Sequence, residues 1–220
     1  MDIGKALGFV FEDQDWISKV LIGALITFLS FLILPAFLLF GYSLEVTKRV
    51  LRGDPQPLPP WTELGDLFVK GVMVVIIGIV YALPIIVINL CATPIWIVFG
   101  DRGGNAAEAI NGLATFGVSC LSILWAIVMS IVLPAALARF ADTGELRDAF
   151  QFGNILRFVQ DNLGTYVVVF LVIWVANLIA GVIGAAACGI GLFFTQPILY
   201  MFTGHLYGQA YLKAQGEVTL

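Results

Sequence analysis

Charge is what this sequence has least of. Asp, Glu, Lys and Arg make up 12% of its 220 residues and hydrophobic residues 60%, against about a quarter and roughly half in ordinary globular domains. A water-soluble fold of this length cannot bury so much apolar side chain, because accessible surface grows too steeply with mass. The mean hydropathy of +0.99 agrees, and the chain reads as an integral membrane protein. Histidine is almost missing: His205 is the only one. Cysteine is scarce and odd in number, with Cys91, Cys120 and Cys188 all in apolar segments. Without a C-x-x-C pair or a Cys/His cluster, neither a zinc site nor a disulfide framework is expected, and the three read as small buried apolar residues. No G-x-S-x-G or H-E-x-x-H motif occurs, and Gly103-Gly104 lacks the Lys-Ser/Thr of a phosphate loop. Basic residues form no patch, so nucleic-acid binding has nothing to rest on. The first 19 residues are acidic and the apolar run behind them is too long for a signal peptide's core, so no cleavable signal is expected.

What is present is a set of long uncharged runs. Residues 20–44, 71–100, 109–138 and 162–212 carry no charge, giving runs of 25, 30, 30 and 51 residues. A hydrocarbon core of about 30 Å needs around 20 helical residues. The first three runs therefore fit one span each, and the fourth, over 70 Å as a single helix, must turn back. Gly184, Cys188, Gly189, Gly191 and Pro197 sit near its middle, and such residues weaken helices by about 1 kcal/mol for glycine and about 3 for proline. A tight hairpin is predicted near Cys188–Gly191. The expected fold is an all-α, polytopic transmembrane bundle forming one domain over 1–220, with five spans at roughly 20–44, 72–99, 113–138, 165–187 and 192–212. The short alternating segments of a β-barrel are absent.

Lys and Arg set orientation. Lys48, Arg49, Arg52, Lys70, Arg139, Arg147, Arg157 and Lys213 place eight on one side, against Lys5, Lys19 and Arg102 on the other. Loops 45–71 and 139–164 and the C-terminus are thus expected to be cytoplasmic, in a multi-pass protein of the cell membrane. The side of the N-terminus stays open. Pro35 admits a second reading, a re-entrant hairpin with Trp16 to Leu29 as one short arm, which leaves four full spans.

Outside the lipid core, residues 55–60 hold four prolines in six positions, which excludes helix and favours an extended spacer that lands Trp61 at the interface. Residues 62–70 read as a short interfacial helix. Asp142 with Glu145 resembles a capping box opening a second interfacial helix over 145–162. Its apolar face would be Ala149, Phe152, Leu156, Val159 and Leu163, turned to lipid or packed across the bundle's end. Leu34-Pro35-Ala36-Phe37-Leu38 with Glu63–Phe68 is echoed by Leu133-Pro134-Ala135-Ala136-Leu137 with Glu145–Phe150, a faint internal repeat of a kind common in transporters.

Ionisable groups inside spans persist where function needs them, and these spans contain no charged one. The polar candidates are Asn89, Asn177, Gln196 and His205. The asparagines suit helix–helix bonding. Ser30, Ser119, Ser122 and Ser130 have no base partner in the sequence, and no catalytic or metal site is expected. His205 is the one candidate cofactor residue, as an axial ligand to a tetrapyrrole. Its ordinary reading is a satisfied interior group flanked by Gly204 and Gly208, whose spacing suits close helix contact. Ala180, Gly184, Cys188 and Gly181, Ala185, Gly189 form two further small-residue lines.

Phe11-Glu12-Asp13-Gln14-Asp15-Trp16 ahead of Leu21-Ile22-Gly23, Gly41-Tyr42-Ser43-Leu44-Glu45-Val46 with Arg52-Gly53-Asp54, Leu133-Pro134-Ala135-Ala136 leading to Arg139-Phe140-Ala141-Asp142-Thr143-Gly144, and Gly204-His205-Leu206-Tyr207-Gly208-Gln209-Ala210-Tyr211 occur in that order. In them the chain resembles the prokaryotic membrane family called domain of unknown function 4013. The resemblance implies a polytopic membrane protein of bacteria or archaea. It implies no activity and carries no catalytic residues, though His205 and Tyr207 fall within its last motif. The expected function is non-enzymatic: a scaffold or accessory subunit partnered by lipid and other transmembrane subunits. The alternative is a small-molecule or lipid carrier, with Asn89, Asn177 and Gln196 lining a mid-membrane cavity.

Overall fold

A computed structural model describes residues 2–100, 105–187 and 189–216. Arg102, Gly103-Gly104 and Cys188 lie outside the described residues. Those described form helices and connecting segments, with no strand among them. Helices α1 (Ile3–Glu12) and α2 (Trp16–Leu29) lead through a 3-10 turn (Ser30–Leu32) to α3 (Leu34–Leu51). After the proline connector come α4 (Leu64–Gly100) and α5 (Asn105–Thr143), then the short α6 (Leu146–Ala149) and α7 (Phe152–Asp161), and finally α8 (Leu163–Ala186) and α9 (Ile190–Ala214). Three stretches are long and apolar enough to cross a membrane: Leu64–Thr93, Glu108–Thr143 and Leu163–Ala186. The chain is a membrane protein of helical architecture.

The run 20–44 is not one straight helix. It breaks at Ile33, whose φ of 68° lies in the left-handed region, and α3 starts afresh with Pro35 in its first turn, where proline's missing N–H costs nothing. The chain folds back there. Trp61 Nε1 donates to the carbonyl of Lys19 at 3.0 Å, and its ring stacks on Tyr42 with centroids 4.2 Å apart. Lys19 and Tyr42 would be about 35 Å apart along a continuous helix. Val20, Tyr42, Val46, Leu58 and Met201 share one buried cluster.

The connector is more than a spacer. Leu58 is buried at 2% exposure, its carbonyl accepts from Lys19 Nζ at 3.1 Å, and Pro59 O accepts from the Tyr42 hydroxyl at 2.9 Å. Trp61 is thereby held half-buried against α2 and α3.

Two expected interfacial helices take other forms. Residues 64–70 run without a break into α4, because Gly71 serves close packing instead of ending the helix: a Cβ there would lie 1.8 Å from Phe37 O, and one on Gly41 1.8 Å from Leu67 O. The carboxylates of Glu45 and Asp66 flank Lys70 Nζ across this contact. The 145–162 stretch divides at Phe150–Gln151 into α6 and α7. Of the expected apolar face, Phe152, Leu156 and Leu163 are exposed, as a side turned to lipid would be, while Ala149 and Val159 are buried together with Ile155. Asp142 opens no helix, since α5 runs through it to Thr143, and Gly144 at φ 75° ends that run. The two arms of the sequence echo diverge accordingly: Pro35 starts α3 whereas Pro134 lies inside α5, and Glu63–Phe68 leads into a long helix whereas Glu145–Phe150 forms a single short one.

The expected hairpin near 188–191 is present as the α8–α9 turn, with Gly189 at φ 84°. Gly184 faces Leu192 so closely that a Cβ would lie 2.3 Å from its Cδ2. The packed core gathers at the opposite ends of these helices, where Ala135–Ala141 of α5, Tyr166 and Val169 of α8 and Phe202, Leu206 and Ala210 of α9 meet Ile155 and Val159. Toward the other ends, Leu90, Leu113, Phe116, Leu178 and Val182 are exposed, as suits surfaces whose solvent is lipid.

Candidate functional site

The packed ends enclose a cleft of about 540 Å³ between α1, the connector and the last turns of α9. That volume is within the range of small-molecule sites, about 300–1,000 Å³. His205 and Gln209 line it from α9 and Phe9 from α1, with Glu12, Arg52 and Asp54 around them.

Helix packing holds His205 in place. A Cβ on Gly204 would meet Ser43 O at 2.2 Å and one on Gly208 would meet Val50 at 2.7 Å, so these two glycines bring α9 against α3, as their spacing led one to expect. The buried Thr47 hydroxyl lies 2.9 Å from Gly204 O and 3.0 Å from Ser43 O, its single proton shared between them. Phe9 stacks on the imidazole with centroids 4.2 Å apart and planes at 28°, leaving His205 5% exposed.

A chain of hydrogen bonds then assigns its tautomer. The backbone N–H of Asp2 donates to Gln209 Oε1 at 2.9 Å, so the Gln209 amide must present its NH₂ group to His205. Gln209 Nε2 lies 3.3 Å from His205 Nδ1, and only a lone pair can accept from it. The neutral ring therefore carries its proton on Nε2. Nε2 is the ring atom left without a partner and open to the cleft. In this tautomer His205 is arranged as a hydrogen-bond donor toward the cleft.

The other sequence candidates stand apart from this cleft. Asn89 Nδ2 donates to Ile85 O at 2.8 Å and reaches Ser122 across to α5 only at 3.5 Å. Asn177 Nδ2 donates to Ile173 O of its own helix from an exposed position, and Gln196 is half-buried. None of the three lines the cleft. Cys91 is exposed and Cys120 half-buried, so neither is the fully buried small residue that its apolar segment led one to expect. Ser30, Ser122 and Ser130 donate to carbonyls one turn back. Tyr207 packs beside the core.

Sequence reasoning missed Gln209, Asp2, Phe9 and Thr47 as supports of His205. Gln209 had a signal, its place one turn after the only histidine. The others arrive from distant segments.

A family model described as protein of unknown function (DUF4013) matches residues 28–189, nearly three-quarters of the chain. The chain belongs to that family. Gly41–Val46, Arg52–Asp54 and Leu133–Gly144 fall inside the match, whereas Phe11–Trp16 and Gly204–Tyr211 fall outside it. No curated protein and no solved structure matches the chain. The cleft thus combines a wall from within the family match, Arg52 to Leu58, with His205 and Gln209 from beyond it.

Proposed function

We propose that this DUF4013 chain is a non-catalytic subunit of a larger assembly in the cell membrane, a scaffold or accessory component that works through helix packing. The observation that carries this reading is the outer face of α8. Asn177 is exposed there, its Oδ1 has no hydrogen-bond partner among the described residues, and Gly181 and Ala185 are exposed one and two turns further on. An amide carbonyl facing hydrocarbon is costly. A second helix closing on the small residues would supply its partner, a contact typically worth under about 2 kcal/mol.

The same reading places four crossings at α4, α5, α8 and α9, with α2 and α3 as a re-entrant hairpin. Lys5 and Lys19 then join the basic side. Ten of the eleven Lys and Arg residues lie there, and Arg102 alone lies opposite, a bias that favours this side as cytoplasmic. α9 is as long as a span but carries Gln196, Thr203, His205 and Gln209, which suits a helix shielded by α2, α3 and α8.

The test is association. Protein extracted gently from native membranes should carry a stable membrane partner or a second copy by native mass spectrometry. Asn177→Leu and Gly181→Leu should remove it while the chain stays folded. A wild-type protein that runs alone with lipid would defeat the proposal.

A further inference from the structure

The subunit reading does not use the cleft, and the cleft has features of its own. His205 is 5% exposed, yet its Nε2 has no partner and opens onto a space of about 540 Å³. A donor that opens onto the cleft from an otherwise buried ring is available to an acceptor on a ligand. The hydrogen-bond chain from Asp2 through Gln209 fixes that donor's direction and protonation before any ligand arrives, which lowers the cost of binding.

The charges around the cleft sort into used and unused. Asp2 Oδ1 accepts from the backbone N–H of Lys5 at 2.9 Å, and Lys5 is itself engaged. Asp13 is engaged by Lys19 at 2.6 Å. Asp54 accepts from the backbone N–H of Gln56 at 3.0 Å and lies 3.9 Å from Arg49. Glu12 and Arg52 have opposite sign, both line the cleft, and among the described residues neither has an ion-pair partner, not even each other.

We infer that this cleft binds a small zwitterion, whose anionic group takes the Nε2–H of His205 and the Arg52 guanidinium while its ammonium faces Glu12. An accessible ring N–H, with Arg52 and Glu12 unpaired among the described residues, around a space of this size matches a ligand with both charges, better than a simple anion or cation. Two sources share that chemistry: a short soluble peptide, and the phosphoethanolamine head group of a membrane lipid.

The single histidine makes the test direct. Full-length protein with a histidine-free tag, labelled with ¹⁵N-histidine and held in phosphatidylcholine nanodiscs, should show the Nε2–H tautomer. Glycylglycine titrated into one sample, and phosphatidylethanolamine built into a second, separate the sources. The expected result is a saturable shift of the Nε2 signal with one of them. Exposed Arg52→Gln and Glu12→Gln should each weaken it on the order of ten-fold, with His205→Gln, read by native mass spectrometry, abolishing the bound mass. No shift with either probe, or a shift that both rim variants leave intact, overturns the inference. Neither outcome touches the association test above.

Discussion

The Tyr42 ring lies against the Trp61 ring, 4.2 Å between centroids and 24° between planes, and through that contact one tryptophan holds both arms of the α2–α3 hairpin. Its ring takes α3 by stacking and its Nε1–H takes α2 at Lys19 O. Trp61→Phe keeps most of the apolar area and loses the hydrogen bond, for an expected cost of about 1 kcal/mol. Trp61→Ala removes both and should cost about 3–5 kcal/mol. Denaturant unfolding of the detergent-solubilised protein reads the difference.

Alanine normally stabilises a helix over glycine by up to about 1 kcal/mol, and α4 carries glycines on which the sign should differ. Gly71 faces the backbone of Phe37 with no room for a Cβ, whereas Gly78 faces open space. Gly71→Ala should therefore destabilise markedly, by pushing α3 off α4, and Gly78→Ala should be neutral or stabilising. Gly41→Ala, on the other side of the same contact, should resemble Gly71→Ala. Paired melting curves check all three.

Much of this architecture was legible from where charge is missing. The uncharged stretch after Lys70 became α4, and the α8–α9 turn came where Gly184, Gly189 and Gly191 cluster, because those residues act locally. The bend at Ile33 was not legible as a choice. It falls at a β-branched residue in a backbone region such residues avoid, and what holds it there is Trp61, nearly thirty positions on. The split of the 145–162 apolar face was not legible either: Phe152, Leu156 and Leu163 turn outward as the lipid-facing reading has them, whereas Ala149 and Val159 pack inward with Ile155. His205 stood out by being alone. Its role did not, because Asp2 and Phe9, which with Gln209 settle its tautomer and orientation, reach it from the far end of the chain.

Three buried tyrosines separate hydroxyls that are bonded from one that is not. The Tyr42 hydroxyl donates to Pro59 O and that of Tyr81 to Ala149 O at 2.8 Å, whereas the Tyr166 hydroxyl is buried without a partner. Removing a bonded hydroxyl leaves a buried carbonyl unpaired and costs about 1–3 kcal/mol; removing an unbonded one relieves a desolvated group. Tyr42→Phe and Tyr81→Phe should lower the unfolding midpoint, and Tyr166→Phe should leave it unchanged or raise it. A loss for Tyr166→Phe equal to the other two would mean that a water completes its hydroxyl.

The re-entrant arrangement predicts where the N-terminus lies. Helix α2 has 14 residues, about 21 Å, too short for a core of about 30 Å, and its return through α3 brings Asp15 back to the side of the connector and of the α5–α6 turn. With Cys91, Cys120 and Cys188 replaced by Ala, single cysteines at Asp15, Asp54 and Asp142 should react with a membrane-impermeant maleimide from the same side of sealed vesicles. A cysteine at Glu108, at the other end of α4 and α5, should react only from the opposite side. Five crossings would instead group residue 15 with residue 108. Because Asp15 caps no hydrogen bond of α2 and is exposed, its substitution should leave the fold intact, so the labelling side reports topology alone.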